Sequence, residues 1–80
     1  MEVKITAFGI AKDILKGKTT SLKLNEGHAV TDVRKALIQS YPDFQKLASL
    51  QFAVNEDYVS EDYIVQPNDE VVLIPPVSGG

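Results

Sequence analysis

Eighty residues, 44% of them apolar and 8% aromatic, suit one domain with a single core, which at this size buries roughly 60% of the surface its unfolded chain exposes. The absence of cysteine excludes a disulfide framework, a thiolate nucleophile and an iron–sulfur ligand set. A formal charge of −3 argues against nucleic acid as a partner, because phosphate contacts need a basic surface, and no apolar run approaches the roughly 20 residues of a membrane span.

The first strand is predicted over residues 3–8: Val3, Ile5 and Ala7 share one face, Lys4, Thr6 and Phe8 the other. Residues 10–16, IAKDILK, carry apolar residues at helical spacing and meet Gly17, a natural left-handed cap, which predicts a short helix or turn. Residues 19–24 alternate with Leu22 and Leu24 inward, and Asn25-Glu26-Gly27 closes this second strand, which pairs with the first. From Thr31 the period changes. Val33, Ala36, Leu37 and Tyr41 fall on one helical face, Thr31 is the expected cap, Asp32 complements the dipole, and Pro42 ends the helix. A short helical turn over 43–47 precedes a strand over 50–54, a turn at Asn55-Glu56-Asp57, a brief strand at Tyr58-Val59 and a turn at Pro67-Asn68-Asp69. The last strand, Glu70 to Ile74, holds four consecutive apolar residues and is predicted to be buried on both faces.

A hairpin, a crossover helix and a last strand beside the first define an α+β class and a β-grasp arrangement: a mixed sheet of four to five strands with one main helix over residues 1–74. A single helix covers one face only. Either a partner protein or loop side chains such as Tyr63 cover the other, where Phe8 lies. Charge is divided as well: all eight bases lie in residues 1–46 among five acids, and residues 47–80 hold six acids and no base. Glu56, Asp57, Glu61, Asp62, Asp69 and Glu70 are thus either a steering surface for a basic partner or a solvated loop surface.

Residues 75–80 read PPVSGG. Pro75 and Pro76 donate no hydrogen bonds and hold φ near −65°, so they end sheet pairing and predict an extended, semi-rigid tail. Six residues at roughly 3 Å each reach about 18 Å, enough to enter another protein's active site. Val77 and Ser78 are modest in size, and Gly79-Gly80 suit a narrow tunnel. The terminal carboxylate is a poor electrophile. Joined to AMP, its acyl carbon opens to attack, and a sulfur donor then leaves a thiocarboxylate, a sulfur nucleophile that needs no cysteine. Read alone, the glycine pair is equally an idle chain end.

The run DEVVLIPPVSGG, residues 69–80, resembles the C-terminal signature of the small sulfur-carrier subunit of molybdopterin synthase, a ubiquitin-like β-grasp family. Ala53-Val54-Asn55 followed by Val59 is similar to that family's penultimate hairpin, and length and element order agree along the chain. Asn68 departs from the glycine common before the Asp; asparagine also tolerates a left-handed conformation, so only the turn is touched. The resemblance implies that an adenylating enzyme, using ATP and magnesium, activates Gly80, and that a sulfurtransferase step makes the thiocarboxylate. It implies a non-catalytic carrier that donates sulfur to cyclic pyranopterin monophosphate inside a large catalytic subunit, in a heterotetramer of two carriers on a dimer. Gly80 is then the sulfur-bearing residue, Gly79 fits the tunnel, and Pro75, Pro76, Val77 and Ser78 form the threaded stem. Phe8, Tyr58 and Ile74 are the apolar docking candidates, each alternatively plain core.

Nothing else in the chain suggests chemistry. His28 stands alone, so no metal site is expected, and no glycine-rich phosphate loop is present, so ATP belongs to the partner. Arg34 and Lys35 lie outside the helix's packing stripe and read as solvated. The opening MEVKITAF lacks the basic region and cleavage site of a signal peptide, which predicts a soluble cytoplasmic protein without a membrane partner. Three rival readings stay open: a carrier for thiamine or transfer-RNA thiolation, a ubiquitin-like modifier, and a passive interaction module.

Overall fold

The computed structural model describes residues 2–24, 27–47 and 50–75. Five strands and two helices follow one another as β1 (Glu2–Ala7), α1 (Gly9–Leu15), β2 (Thr19–Lys23), α2 (Val30–Ser40), a 3-10 turn (Pro42–Lys46), β3 (Gln51–Val54), β4 (Asp57–Val59) and β5 (Glu70–Ile74). They build a single mixed sheet in the order β2-β1-β5-β3-β4. β1 pairs antiparallel with β2 and parallel with β5, and β3 lies antiparallel to both β5 and β4. This is the ubiquitin-like β-grasp sheet, with the first and last strands side by side at its centre.

Alternation decides which face is covered. Val3, Ile5 and Ala7 of β1, Val71 and Leu73 of β5, and Phe52 and Val54 of β3 are buried against Val30, Val33 and Leu37 of α2 and Ala11 and Leu15 of α1. Each large side chain so removed from water contributes roughly 1.5–3 kcal/mol. Tyr41 packs edge-on against Phe44 at 6.1 Å, so the 3-10 turn closes one end of this core.

Local details depart from the sequence reading, beginning with β1, which covers Glu2–Ala7 and leaves Phe8 beyond its end. α2 starts at Val30 rather than at a Thr31 cap. The Asp32 carboxylate reaches back to accept the Ala29 N–H at 3.0 Å, a job a residue at the third helical position can do. Gly27, at φ +76, leaves room for it, because a β-carbon there would collide with that carboxylate. At the end of α1 the left-handed residue is Lys16 (φ 60), not Gly17. Asn68 does not take a left-handed conformation: the turn is closed by Asp69 N–H to the Gln66 carbonyl at 3.0 Å with φ negative throughout. Finally, β5 is buried on one face only, with Val72 and Ile74 half-buried on the other.

The β3–β4 hairpin turns on two residues, Asn55 (φ 50) and Glu56 (φ 77), as a two-residue loop with both φ positive requires, and Asp57 already belongs to β4. Among the described residues no helix is long and apolar enough to cross a membrane.

Candidate functional site

The face of the sheet turned away from α2 assembles from alternate residues of four strands. In one row Tyr58 of β4 stands opposite Ala53 of β3, which stands opposite Val72 of β5, which stands opposite Thr6 of β1. In the next row Gln51 stands opposite Ile74. Phe8 follows one residue beyond the Ala7–Leu73 pair and so flanks Ile74. The three docking candidates, Phe8, Tyr58 and Ile74, therefore share one face. Phe8 is 48% exposed and Tyr58 68% exposed, while Ile74 is half-buried, so none of the three is plain core.

Tyr63 does not cover this face. It packs against the helix-side core, and its hydroxyl donates to Asp69 at 3.0 Å. Val72 and Ala53 belong to the open face too, and the sequence signal for them was available: each sits at strand spacing from residues already assigned. Ile10, 49% exposed on α1, extends the apolar surface near Phe8. The ammonium of Lys18 lies 5.7 Å from the Phe8 ring centre and gives that rim a positive charge. Thr6 donates to the Glu70 carboxylate, with the Lys4 ammonium 3.9 Å away, so a polar strip crosses the middle of the face.

Pro75 follows Ile74 at the end of β5, packed beside Gly9. Pro76, Val77, Ser78, Gly79 and Gly80 lie outside the described residues.

Several charged residues are spoken for. Arg34, expected to be solvated, donates from Nε to both Glu61 oxygens (3.1 and 3.2 Å) and from Nη2 to Glu61 (2.9 Å) and the Leu50 carbonyl (2.9 Å). Its guanidinium also stacks 4.9 Å from the Phe52 ring centre, clamping α2 to β3 and to the loop after β4. Asp69 accepts from the Gln66 N–H, from Asn55 and from Tyr63. The Gln66 N–H, helped by Asn55 and Tyr63, holds the Asp69 carboxyl below its ordinary value, and the same contact raises the Tyr63 hydroxyl. Of the six acids in the C-terminal half, Glu56, Asp57 and Asp62 are exposed and make no ion pair among the described residues. No group of three or more His, Asp or Glu side chains among the described residues converges on a metal-sized site.

Comparison with known proteins agrees with this geometry. Residues 5–80 match the model of the ThiS family. The chain is 35% identical to the molybdopterin synthase sulfur carrier subunit of Dictyostelium discoideum, covering 99% of this chain and 96% of that one. It is 31% identical to the subunit of the same name from Arabidopsis thaliana, covering 100% and 84%. Among solved structures, a putative molybdopterin converting factor subunit 1 from Pyrococcus furiosus superposes with a TM-score of 0.85 at 26% identity, over 96% of this chain and 99% of that one. A Helicobacter pylori chain from a complex of subunits 1 and 2 of molybdopterin-converting factor has the same fold, at a TM-score of 0.67 and 22% identity over the whole of both chains.

Proposed function

Because the chain belongs to the ThiS family and is a sulfur carrier of the molybdopterin synthase kind, we propose that it works through its last residue: Gly80 is adenylated, converted to a thiocarboxylate, and delivered into a large catalytic subunit. Residues 75–80 act as the extended stem. Pro75, Pro76, Val77 and Ser78 span the tunnel, and Gly79 fits where no side chain passes. Adenylation expels pyrophosphate from ATP with magnesium on the adenylating enzyme; a sulfur donor then displaces AMP. The carrier contributes the carboxylate and a docking face, and the partners contribute ATP binding, sulfur and catalysis. Inside the large subunit the thiocarboxylate sulfur replaces an oxygen substituent of cyclic pyranopterin monophosphate, and water then cleaves the acyl–sulfur bond, leaving the sulfur on the pterin and Gly80 as a carboxylate.

One observation carries the reading: the chain passes from Ile74, on the open face, into Pro75, which packs beside Gly9, the residue after Phe8, and leads toward Gly80. A partner seated on the apolar face through Phe8, Ile74 and Tyr58 therefore has the stem entering it directly. Docking supplies the binding energy and the stem supplies the reactive group, so the chemistry needs no residue of the body.

The test is the intact mass of the chain after incubation with ATP, magnesium, the adenylating enzyme and a sulfur donor, beside a chain lacking Gly80. The expected result is a gain matching one oxygen replaced by sulfur in the full-length chain alone. An unchanged mass in the full-length chain would sink the proposal.

A further inference from the structure

The parallel pairing of β1 and β5 sets Ala7 opposite Leu73, and two residues further on Gly9 lies against Pro75 as both segments leave the sheet. At Gly9 the chain must turn from extended strand into α1, and it does so at φ +57, a conformation that residues with a side chain rarely adopt. A β-carbon built on Gly9 would stand 3.3 Å from Cγ of Pro75. Carbon atoms pack best at about 3.5–4.0 Å, so the proline ring holds space that any other residue at position 9 would claim. Proline has a rigid φ, and moving its ring therefore turns the backbone beyond it.

We infer that Gly9 is a positioning residue for sulfur delivery: its missing side chain lets Pro75 seat against the β1–α1 corner and so aims the stem that ends at Gly80. Gly9 acts through Pro75 and touches no reacting atom. The inference rests on the carrier reading above, and it adds a requirement far from the C-terminus in sequence. A side chain at position 9 presses on the Pro75 ring, from which the stem departs, and is expected to act on delivery through that contact.

Two measurements test it. The first is steady-state sulfur delivery with the adenylating enzyme, sulfur donor and large subunit, comparing the wild type with Gly9→Ala, Pro75→Ala and the double variant. Gly9→Ala is expected to lower kcat on the order of tenfold with KM unchanged, as a misplaced reacting group does. In the double variant, which lacks the colliding ring but keeps the strained φ at position 9, the loss relative to Pro75→Ala is expected to be clearly smaller than that of Gly9→Ala relative to the wild type. If Gly9→Ala does not fold, Gly9→Asn replaces it, since asparagine accepts positive φ, with the same loss and the same rescue expected. An unchanged kcat, a loss confined to KM, or a loss that Pro75→Ala fails to relieve would each overturn the inference.

The second measurement needs no partner. The natural chain has no cysteine, so spin labels at Ser78→Cys and Thr20→Cys are unambiguous. The label separation is expected to shift in Gly9→Ala and to return in the double variant. Coincident separations overturn the role of Gly9 alone. A shift with no sulfur delivered by the wild type overturns the carrier reading, and the functional half of the inference with it.

Discussion

β5 shows the sheet's two faces within five residues. Val71 and Leu73 are wholly buried under the helices, whereas Val72 and Ile74, their neighbours on the chain, are half-buried on the open side. Side chains of the same chemistry thus meet two environments. A one-sided sheet needs apolar residues at alternate positions only, as β1 illustrates with Glu2 and Lys4 exposed and polar Thr6 on the same face. The additional apolarity of β5, together with Phe8 and Tyr58, exceeds what a one-sided sheet requires and suits the docking face proposed above.

The sharpest way to break this contrast is to treat the two faces alike. Leu73→Ala empties a buried site and should cost about 3 kcal/mol in urea unfolding, within the 2–5 kcal/mol range of such truncations. Ile74→Asp, on the adjacent residue, should cost about 1 kcal/mol of stability and weaken assembly with the large subunit at least tenfold, read by titration calorimetry. Equal stability losses at the two positions, or full-strength binding by Ile74→Asp, would erase the distinction between the faces.

A smaller effect is expected at the turn that leads into β5. Asp69→Ala removes an acceptor of three hydrogen bonds and should destabilise by about 1 kcal/mol, since most of this site meets solvent. The folded state depresses the Asp69 carboxyl below its ordinary 3.8. Its contribution is therefore complete above that value and is lost as pH falls through the lower folded one. The gap between variant and wild type should narrow as pH falls below 3.8 in acid unfolding curves. Tyr63 works in the opposite sense: its raised value means a contribution present below pH 10.0 that disappears as pH climbs through the folded value. The smallest change is at the β3–β4 turn, which belongs to neither face. Glu56→Gly relieves a left-handed residue at φ 77 and should raise stability by about 0.5 kcal/mol, seen as a higher Tm, with partner assembly unaltered.

What the sequence discloses and what it hides follow from the range of each interaction. Strand alternation and helical period are local, so both ends of β5, the course of β1 to within one residue, the stop at Pro42 and the open face on which Phe8 lies were legible. The β-grasp order followed from connection rules applied to those elements. Arg34 was not legible, because its partners Glu61 and Leu50 lie 27 and 16 residues away and no local pattern announces them. The start of α2 was misplaced because the capping group is a carboxylate reaching back from inside the helix, in space that Gly27 leaves empty. Gly9 likewise reads as an ordinary loop glycine until the parallel register sets it beside Pro75.

The central position of β5 also has a mechanical consequence. A stem attached to an edge strand would peel that strand away, one hydrogen bond at a time, when drawn from a tight channel. Here a pull on the C-terminus is borne along the axis of a strand paired on both sides, with β1 and with β3. The load falls in shear on two ladders at once. In the proposed cycle, withdrawal from a partner would therefore strain the whole domain before it freed any single strand, so that the carrier would leave as a folded unit.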